Sequence, residues 1–284
     1  MAARPSISIV GAGSLARVLA ISLHNAGYRI DEIIVRARPA SIRRAKVIAK
    51  NCSASVATID STKIRADILW FCISDDAITS VAKQIARRND IDWCKKTVVH
   101  SSGALAASVL APLAKRGASA VSAHPMNSFV PTSTLSMKNV PFALEGHARG
   151  IRAIEKIIRT LGASSHKITA KSKILYHVMG AFASPLYVSL IDLAVQVGKK
   201  AGVRDPLKVL AFMLRQTTEN ILQKGTAGSF SGPIRRSDVA TLKKHFTALK
   251  AIPNARDSYK VLAKNALVRL PIRDKRAFKN LFNS

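Results

Sequence analysis

The chain has 284 residues, 45 of them Lys or Arg against 16 Asp or Glu, giving a formal charge of +29. Apolar residues make up 48% and charged residues only 21%, which excludes an intrinsically disordered chain, because this much apolar surface offsets ordering entropy when buried. The length suits two domains, and the charge nominates nucleic acid, anionic membrane or anionic small molecules without choosing among them.

Cys52, Cys72 and Cys94 are widely spaced and form no CxxC pair. An odd count without paired spacing argues against a disulfide framework or a metal site and suits a reducing, cytoplasmic setting. The start runs directly into a strand-like Ser6–Val10, which leaves no room for a secretory signal. The most apolar segment, Ile174–Ile191, contains His177, Ser184, Pro185 and Ser189. It reads as a buried helix of a soluble protein rather than a membrane span.

In chain order, the apolar strand Ser6–Val10 is followed by Gly-Ala-Gly-Ser-Leu-Ala at 11–16. Leu15, Val18, Leu19, Leu23 and Ala26 then fall at helical spacing and Gly27 stops the helix. A strand is expected at Glu32–Val35 and a basic helix around Ser41–Lys50. Further strands read at Ile68–Ile73, Thr97–His100 and Ala118–Ser122, with helices near Ala77–Arg88 and Leu105–Lys115. This alternation predicts a parallel sheet covered on both faces. Pro141–Leu144, a helix Ile151–Leu161 and a short strand Ser165–Ile168 complete the first domain, residues 1–168. Beyond it, Ser172–Ala201, Pro206–Lys224, Asp238–Ala251, Asn254–Arg269 and Asp274–Phe282 all read as helices. Their breaks lie at Gly202, Gly225–Pro233, Pro253 and Pro271. The predicted fold is α/β: an N-terminal doubly wound domain and a C-terminal all-helical domain, residues 169–284.

Gly11, Ala12, Gly13, Ser14, Leu15 and Ala16 form a GxGxxA turn between a strand and a helix, the context that a dinucleotide-binding turn requires. Gly11 serves the tight turn, Gly13 admits the pyrophosphate, and Ala16 lets helix and strand pack closely. The helix start presents free N–H groups and its positive dipole end to phosphate. About 20 residues on, an NAD site has Asp or Glu for the ribose 2′-hydroxyl. Here Arg36 stands in that place, with Arg38, Arg43 and Arg44 close by, while Asp31 and Glu32 lie at the strand's start. Guanidinium groups suit a 2′-phosphate that a carboxylate would repel. The predicted cofactor is NADP(H).

Ligands of open parallel sheets sit at the strands' carboxyl ends. Those ends carry Ser74-Asp75-Asp76, then His100-Ser101-Ser102-Gly103, then His124-Pro125-Met126-Asn127. Ser74, Ser101, Ser102 and Gly103 are candidate cofactor contacts, with helix capping as the competing use of the serines. A hydride acceptor needs a proton donor, and histidine serves near neutral pH. His100, His124 and His177 are all candidates by position, and spacing alone does not choose among them. Arg235 and Arg236, in a loop that ends at Asp238, are candidate anion ligands.

The segments GAGSLARVL, FCISDDAI, HSSGAL, SAHPMNSF, LYHVMGAFAS and SGPIRRSD occur in that order. Together, over about residues 6–252, they resemble Rossmann-like proteins with a C-terminal domain of unknown function 2520. These are similar to pyrroline-5-carboxylate reductases, the 6-phosphogluconate dehydrogenase-like superfamily and deazaflavin-dependent NADP oxidoreductases. The resemblance implies an NADP-binding Rossmann domain, a helical second domain and a homodimer with a cleft between domains. His124, Tyr176, His177, Gly232, Pro233, Arg236 and Asp238 match the pattern. It favours His177 and His124 as catalytic residues, with Tyr176, Ser184, Arg235 and Arg236 as substrate contacts. Two positions depart: Ser184-Pro185 stands where the pattern reads Ser-Asn, and Ser237 stands where it reads Gly.

The expected function is an NADPH-dependent reduction of C=O or C=N in a small, anionic metabolite. The alternative is a non-catalytic NADP(H)-binding sensor or regulatory protein, for which Pro185 is the motive. No helix-turn-helix, zinc-finger or RNA-recognition pattern accompanies the charge, so neither specific nucleic acid nor a membrane is an expected partner. Residues 1–168 carry net +14 and residues 169–284 net +15. The excess is spread along the chain.

Overall fold

The computed structural model describes residues 4–133, 135–279 and 281. The elements of the first part are β1 (Ile7–Val10), α1 (Ser14–Asn25), β2 (Ile30–Val35), α2 (Pro39–Cys52), β3 (Ser55–Thr58), β4 (Ile68–Phe71) and α3 (Asp75–Ala86). They continue with β5 (Thr97–His100), α4 (Ala111–Ala114), β6 (Ser119–Pro125), β7 (Pro141–Gly146), α5 (Ala148–Thr160), β8 (Ser164–Lys167) and α6 (Lys173–Ala183). Eight strands form one sheet in the order β3-β2-β1-β4-β5-β6-β7-β8. The strand order reverses between β1 and β4, which opens a crevice at their carboxyl ends.

Helices cover both faces. On one, α1, α2 and α5 bury Leu19, Leu23, Ile48, Ile154 and Ile158 against Ile9, Ile33 and Phe142. On the other, Ile78, Ile85, Leu110 and Leu113 pack on Leu69, Phe71 and Val98. Four-residue strands that are buried throughout, such as Ile68–Phe71, explain the continuous apolar runs in the sequence.

The sheet departs from the expected all-parallel arrangement. β6 and β7 pair antiparallel, with His124 opposite Ala143, because the described residues between them hold no crossover helix. β3 was not anticipated: its Ser-Val-Ala-Thr is too short and too polar to stand out, and it forms beside β2. The expected helix Leu105–Lys115 is a 3-10 turn at Ala107–Leu110 followed by the single turn of α4.

The chain divides into two compact units, Met1–Ser184 and Pro185–Ser284. Helix α6, although beyond residue 168, therefore lies in the first. The second unit contains α7 (Pro185–Lys200), α8 (Pro206–Ser229), α9 (Gly232–Arg235), α10 (Val239–Ala248) and α11 (Ala255–Arg269). Its cores are Leu242, Phe246, Phe278 and Leu281, and Leu249, Ile252 and Ala255 beneath Leu193 and Val197. The expected helix Asp274–Phe282 is a 3-10 turn at Arg276–Phe278, and Phe282 lies outside the described residues. Helix α8 runs past its expected stop at Lys224 to Ser229, with Gly225 non-helical at φ 69°, ψ 173°.

Two corrections concern Ile174–Ile191. The segment is not one helix: Ser184 at φ −128°, ψ −86° ends α6, and Pro185 starts α7. Nor is it buried, since Leu175, Phe182 and Val188 are 74%, 66% and 66% exposed. By length and composition Lys173–Lys200 could cross a membrane, with mean hydropathy 1.7. The broken backbone at Ser184 would leave peptide groups unsatisfied in hydrocarbon, which argues against a span.

Candidate functional site

The glycine turn is built as its sequence requires. Gly11 has φ 118°, and a Cβ there would stand 2.3 Å from the Cys72 carbonyl oxygen; its N–H donates to the Ile34 carbonyl at 2.8 Å. Gly13 is the N-cap of α1 and makes no side-chain cap. A Cβ on Gly13 would meet nothing within 4 Å, so the first-turn N–H groups open onto free space that suits an anion. Ala16 is fully buried under the helix.

This turn forms one wall of a cleft of about 260 Å³ at the ends of β1, β2 and β4. Arg36, Ser41 and Arg44 line its β2 side, and Cys72, Ile73 and Ser74 its β4 side. Arg38 is the exposed N-cap of α2 and is not among the lining residues. The acids of β2 are engaged elsewhere: Asp31 accepts from Arg29 at 2.7 Å and Glu32 from the Thr62 hydroxyl at 2.6 Å. Asp76 lies close enough to Arg36 to feel its charge, yet the Ser74 hydroxyl is the main cause that holds its carboxyl below the ordinary range. Burial pushes the Cys72 thiol up to about 12, so it stays protonated.

A second group of side chains gathers at the ends of β5 and β6. His100 pairs with Ser122, and Ser122 with Glu145; two residues further on, His124 pairs with Ala143 and Ala143 with His166. The two-residue spacing puts these side chains on one sheet face. Helix α6 meets them there with Tyr176 and His177. The His124 ring lies 5.7 Å from His177 and 6.1 Å from Tyr176, and His166 lies 5.3 Å from Tyr176, between centroids. Gly103 makes the approach possible: a Cβ there would stand 2.3 Å from His177 Nδ1 and 2.8 Å from His124 Nε2.

The three candidate histidines separate. His100 is fully buried; its Nδ1 accepts from the Ser102 N–H and its Nε2 faces the Ala106 carbonyl at 3.1 Å. Both nitrogens are used, which makes it structural. His124 Nδ1 is buried and has no partner among the described residues. Burial, with the Lys173 and His177 charges added, pulls His124 down to about 4. His177 is exposed. Tyr176 is partly buried, and that burial raises its phenol above the ordinary value.

The serines also differ. Ser74 is the N-cap of α3 without a side-chain capping bond. The Ser101 hydroxyl accepts from the Trp70 indole at 2.8 Å. The Ser102 hydroxyl donates to Asp75 at 2.7 Å and accepts from the N–H groups of Ala104 and Leu105. It ties the cleft's α3 wall to the histidine group.

Ser184 lies at the end of α6. In the second unit, Arg235 Nη1 donates to the Phe230 carbonyl at 2.7 Å, whereas Arg236 is exposed beside Asp238. Asp238 caps α10 through Thr241 N at 3.0 Å, as its position suggested.

Two residues of the histidine group were missed: His166, whose ring lies beside Tyr176, and Lys173. Lys173, at the start of α6, is 1% exposed and its Nζ has no partner among the described residues. The available signal was its spacing: Lys173, Tyr176 and His177 stand at i, i+3 and i+4, on one helix face.

The comparisons agree with this architecture. The chain carries a Rossmann-like domain over residues 1–125. Over residues 140–266 it carries a domain of unknown function, DUF2520. A protein of Bacteroides fragilis provisionally called an NADP oxidoreductase is 20% identical, with 92% of this chain and 97% of that one covered at a TM-score of 0.77. A Thermotoga maritima protein is 22% identical over 91% of this chain and 96% of its own, with a TM-score of 0.72. An imine reductase from Myxococcus stipitatus in complex with NADP+ is 13% identical, covers 99% and 100%, and has a TM-score of 0.66. At these identities the likeness establishes the fold. No curated protein matches the chain.

Proposed function

We propose that the chain is an NADP(H)-dependent oxidoreductase moving hydride between the nicotinamide and a C=O or C=N of a small, anionic metabolite. The observation that carries this reading is the charge at the end of β2. Arg36 and Arg44 line the glycine-turn cleft with Ser41 between them, and no carboxylate of β2 is among its lining residues. Arg36 and Arg44 hold the 2′-phosphate, with Arg38 beside them, while the turn Gly11–Ala16 holds the pyrophosphate. NADP(H), when bound, supplies the hydride chemistry. Ser74, Ser101, Ser102 and Gly103 lie on the nicotinamide side. His124 or His177 gives the proton, and Tyr176 and Ser184 contact substrate. Arg235 and Arg236 are the second unit's anion ligands. The fold shared with NADP-bound imine reductase supports the same reading.

Fluorescence titration with NADPH and NADH tests it. NADPH is expected to bind at micromolar concentration or tighter and in preference to NADH, and Arg36→Glu to weaken NADPH at least tenfold. No NADPH binding, or equal binding by Arg36→Glu, would sink the assignment.

The second reading is a non-catalytic NADP(H) sensor, favoured by the break at Ser184–Pro185 directly after the histidine-bearing helix. NADPH binding without turnover across carbonyl and imine acids would favour it. Turnover lost in His124→Ala or His177→Ala would exclude it.

We further infer a cytoplasmic homodimer without a specific nucleic-acid or membrane partner. Helix α7 has no buried residue, and Phe212, Met213 and Leu222 of α8 are 71%, 63% and 77% exposed. Such faces need a cover.

A further inference from the structure

A buried amine without an ion pair is costly, because desolvation of the charge is not repaid by a partner. Lys173 is that case. The ion pairs among the described residues are Arg29–Asp31, Arg88–Asp90 and Lys167–Glu155, and Lys173 is in none of them. The groups whose charge it feels, or that feel its own, come from four elements: Asp75 of α3, His100 of β5, His124 of β6 and Glu145 of β7. Three of these are already engaged. Asp75 accepts the Ser102 hydroxyl, Glu145 accepts the Ala107 N–H at 2.7 Å, and both His100 nitrogens have partners.

Among the described residues of this cluster, three buried polar atoms have no partner: Lys173 Nζ, His124 Nδ1 and the Ser122 hydroxyl. Ser122 and His124 are two apart on β6, so they share its face. An ammonium only donates, an imidazole nitrogen without a proton only accepts, and a hydroxyl does both. A hydrogen-bonded chain through bound water would satisfy all three.

We propose that Lys173 is a positioning residue that donates to His124 Nδ1 through one bound water, and so fixes His124 as the tautomer with its proton on Nε2. That proton then faces Gly103 and His177, on the exposed side of the cluster. The arrangement is a relay as well as a brace. His124 gives its Nε2 proton to the oxygen left on a carbonyl substrate after hydride addition, and takes a proton at Nδ1 from Lys173. Lys173 is left as a neutral amine, and the cycle resets when His124 Nε2 takes a proton from solvent and its Nδ1 proton returns to Lys173. A neutral histidine can thereby act as the acid although burial holds it down to about 4. The same burial brings the Lys173 amine down to about 8, against the opposing pull of Glu145 and Asp75, where loss of its proton is accessible.

The relay deepens the oxidoreductase reading and rests on it for its proton-delivery half. It also narrows the acceptor. An iminium group accepts hydride without needing a further proton, and its charge would sit beside an ammonium; a carbonyl leaves an alkoxide that must be protonated. The relay therefore points to C=O.

The test needs no substrate. Long-range 1H–15N spectra of the histidines in the full-length protein report which nitrogen carries the proton, with the His124 signals assigned by His124→Gln. Wild type is expected to show protonated Nε2 and bare Nδ1 for His124, with a second step in its shifts near pH 8 as Lys173 loses its proton. In Lys173→Met, which keeps the length of the side chain, that step should vanish and the Nδ1 proton should become populated. An unchanged His124 tautomer in folded Lys173→Met would overturn the proposal. If that variant does not fold, a wild-type spectrum with the proton on Nδ1, or without the step near pH 8, overturns it equally. Failure of NADPH to bind would remove the cofactor reading and leave this spectrum to decide Lys173 by itself.

Discussion

Ser237 shows how a departure from a family pattern is accommodated. It stands at φ 61°, a left-handed conformation that favours the glycine of the pattern. Its hydroxyl donates to the Asp274 carbonyl at 2.9 Å and accepts from the Asp274 N–H at 2.8 Å. Ser237→Ala keeps the strain and loses both bonds, so it should destabilise by about 1–2 kcal/mol. Ser237→Gly loses the bonds but relieves the strain, and urea denaturation should show the smaller loss. Gly103→Ala should displace His177 and His124 and cut turnover at least tenfold, and because Gly103 is also placed on the nicotinamide side, fluorescence titration should show weaker NADPH binding. His100 and His124 make stability acid-sensitive. Both are held near 4 against an ordinary 6.5, so between these values the unfolded chain binds more protons. Their contribution is complete above about pH 6.5 and is lost as pH falls toward 4, and urea midpoints at pH 7 and pH 5 should differ in that direction. Arg36 was legible in the sequence because a strand end is a local feature with few occupants. Lys173 was not: it is one of 45 cations, and burial is a tertiary property that its side chain does not announce.

At the scale of elements, the strand–turn–helix at 7–25 was readable because each signal is local: an apolar run, two glycines and helical spacing. The close contact between Gly11 and the Cys72 carbonyl gives this turn its demand for glycine. Gly11→Ala should cost at least about 3 kcal/mol of stability, read by denaturant unfolding, since strain at positive φ and a backbone clash add. Elements set by their neighbours were harder to read. β3 depends on the β2 edge, and the antiparallel β6–β7 pair depends on a connector whose described residues hold no helix. The apolar run of α6 and α7 carried the same periodicity whether covered by its own chain or left open, so burial was inferred where exposure is found. Pro185 lies inside the helix expected over Ser172–Ala201, but a proline also starts helices, and here it starts α7.

For the whole molecule, the two halves share the positive charge almost evenly, so no single basic domain accounts for it. Arg36 and Arg44, which line the cleft, are a small part of the total. The homodimer reading makes its own prediction at this scale: Phe212→Glu with Leu222→Glu on α8 should convert dimer to monomer in sedimentation, whereas a wild-type monomer would contradict it. The doubly wound sheet, the glycine turn and the arginine at the end of β2 together make NADP(H) binding the central claim. Its most direct measurement is calorimetric titration of the full-length protein with NADPH and NADH, beside Arg36→Glu. The account predicts micromolar or tighter NADPH binding, at least tenfold weaker NADH, and loss of that preference in Arg36→Glu. Equal affinity for the two dinucleotides, or an Arg36→Glu isotherm that overlays wild type, would contradict it.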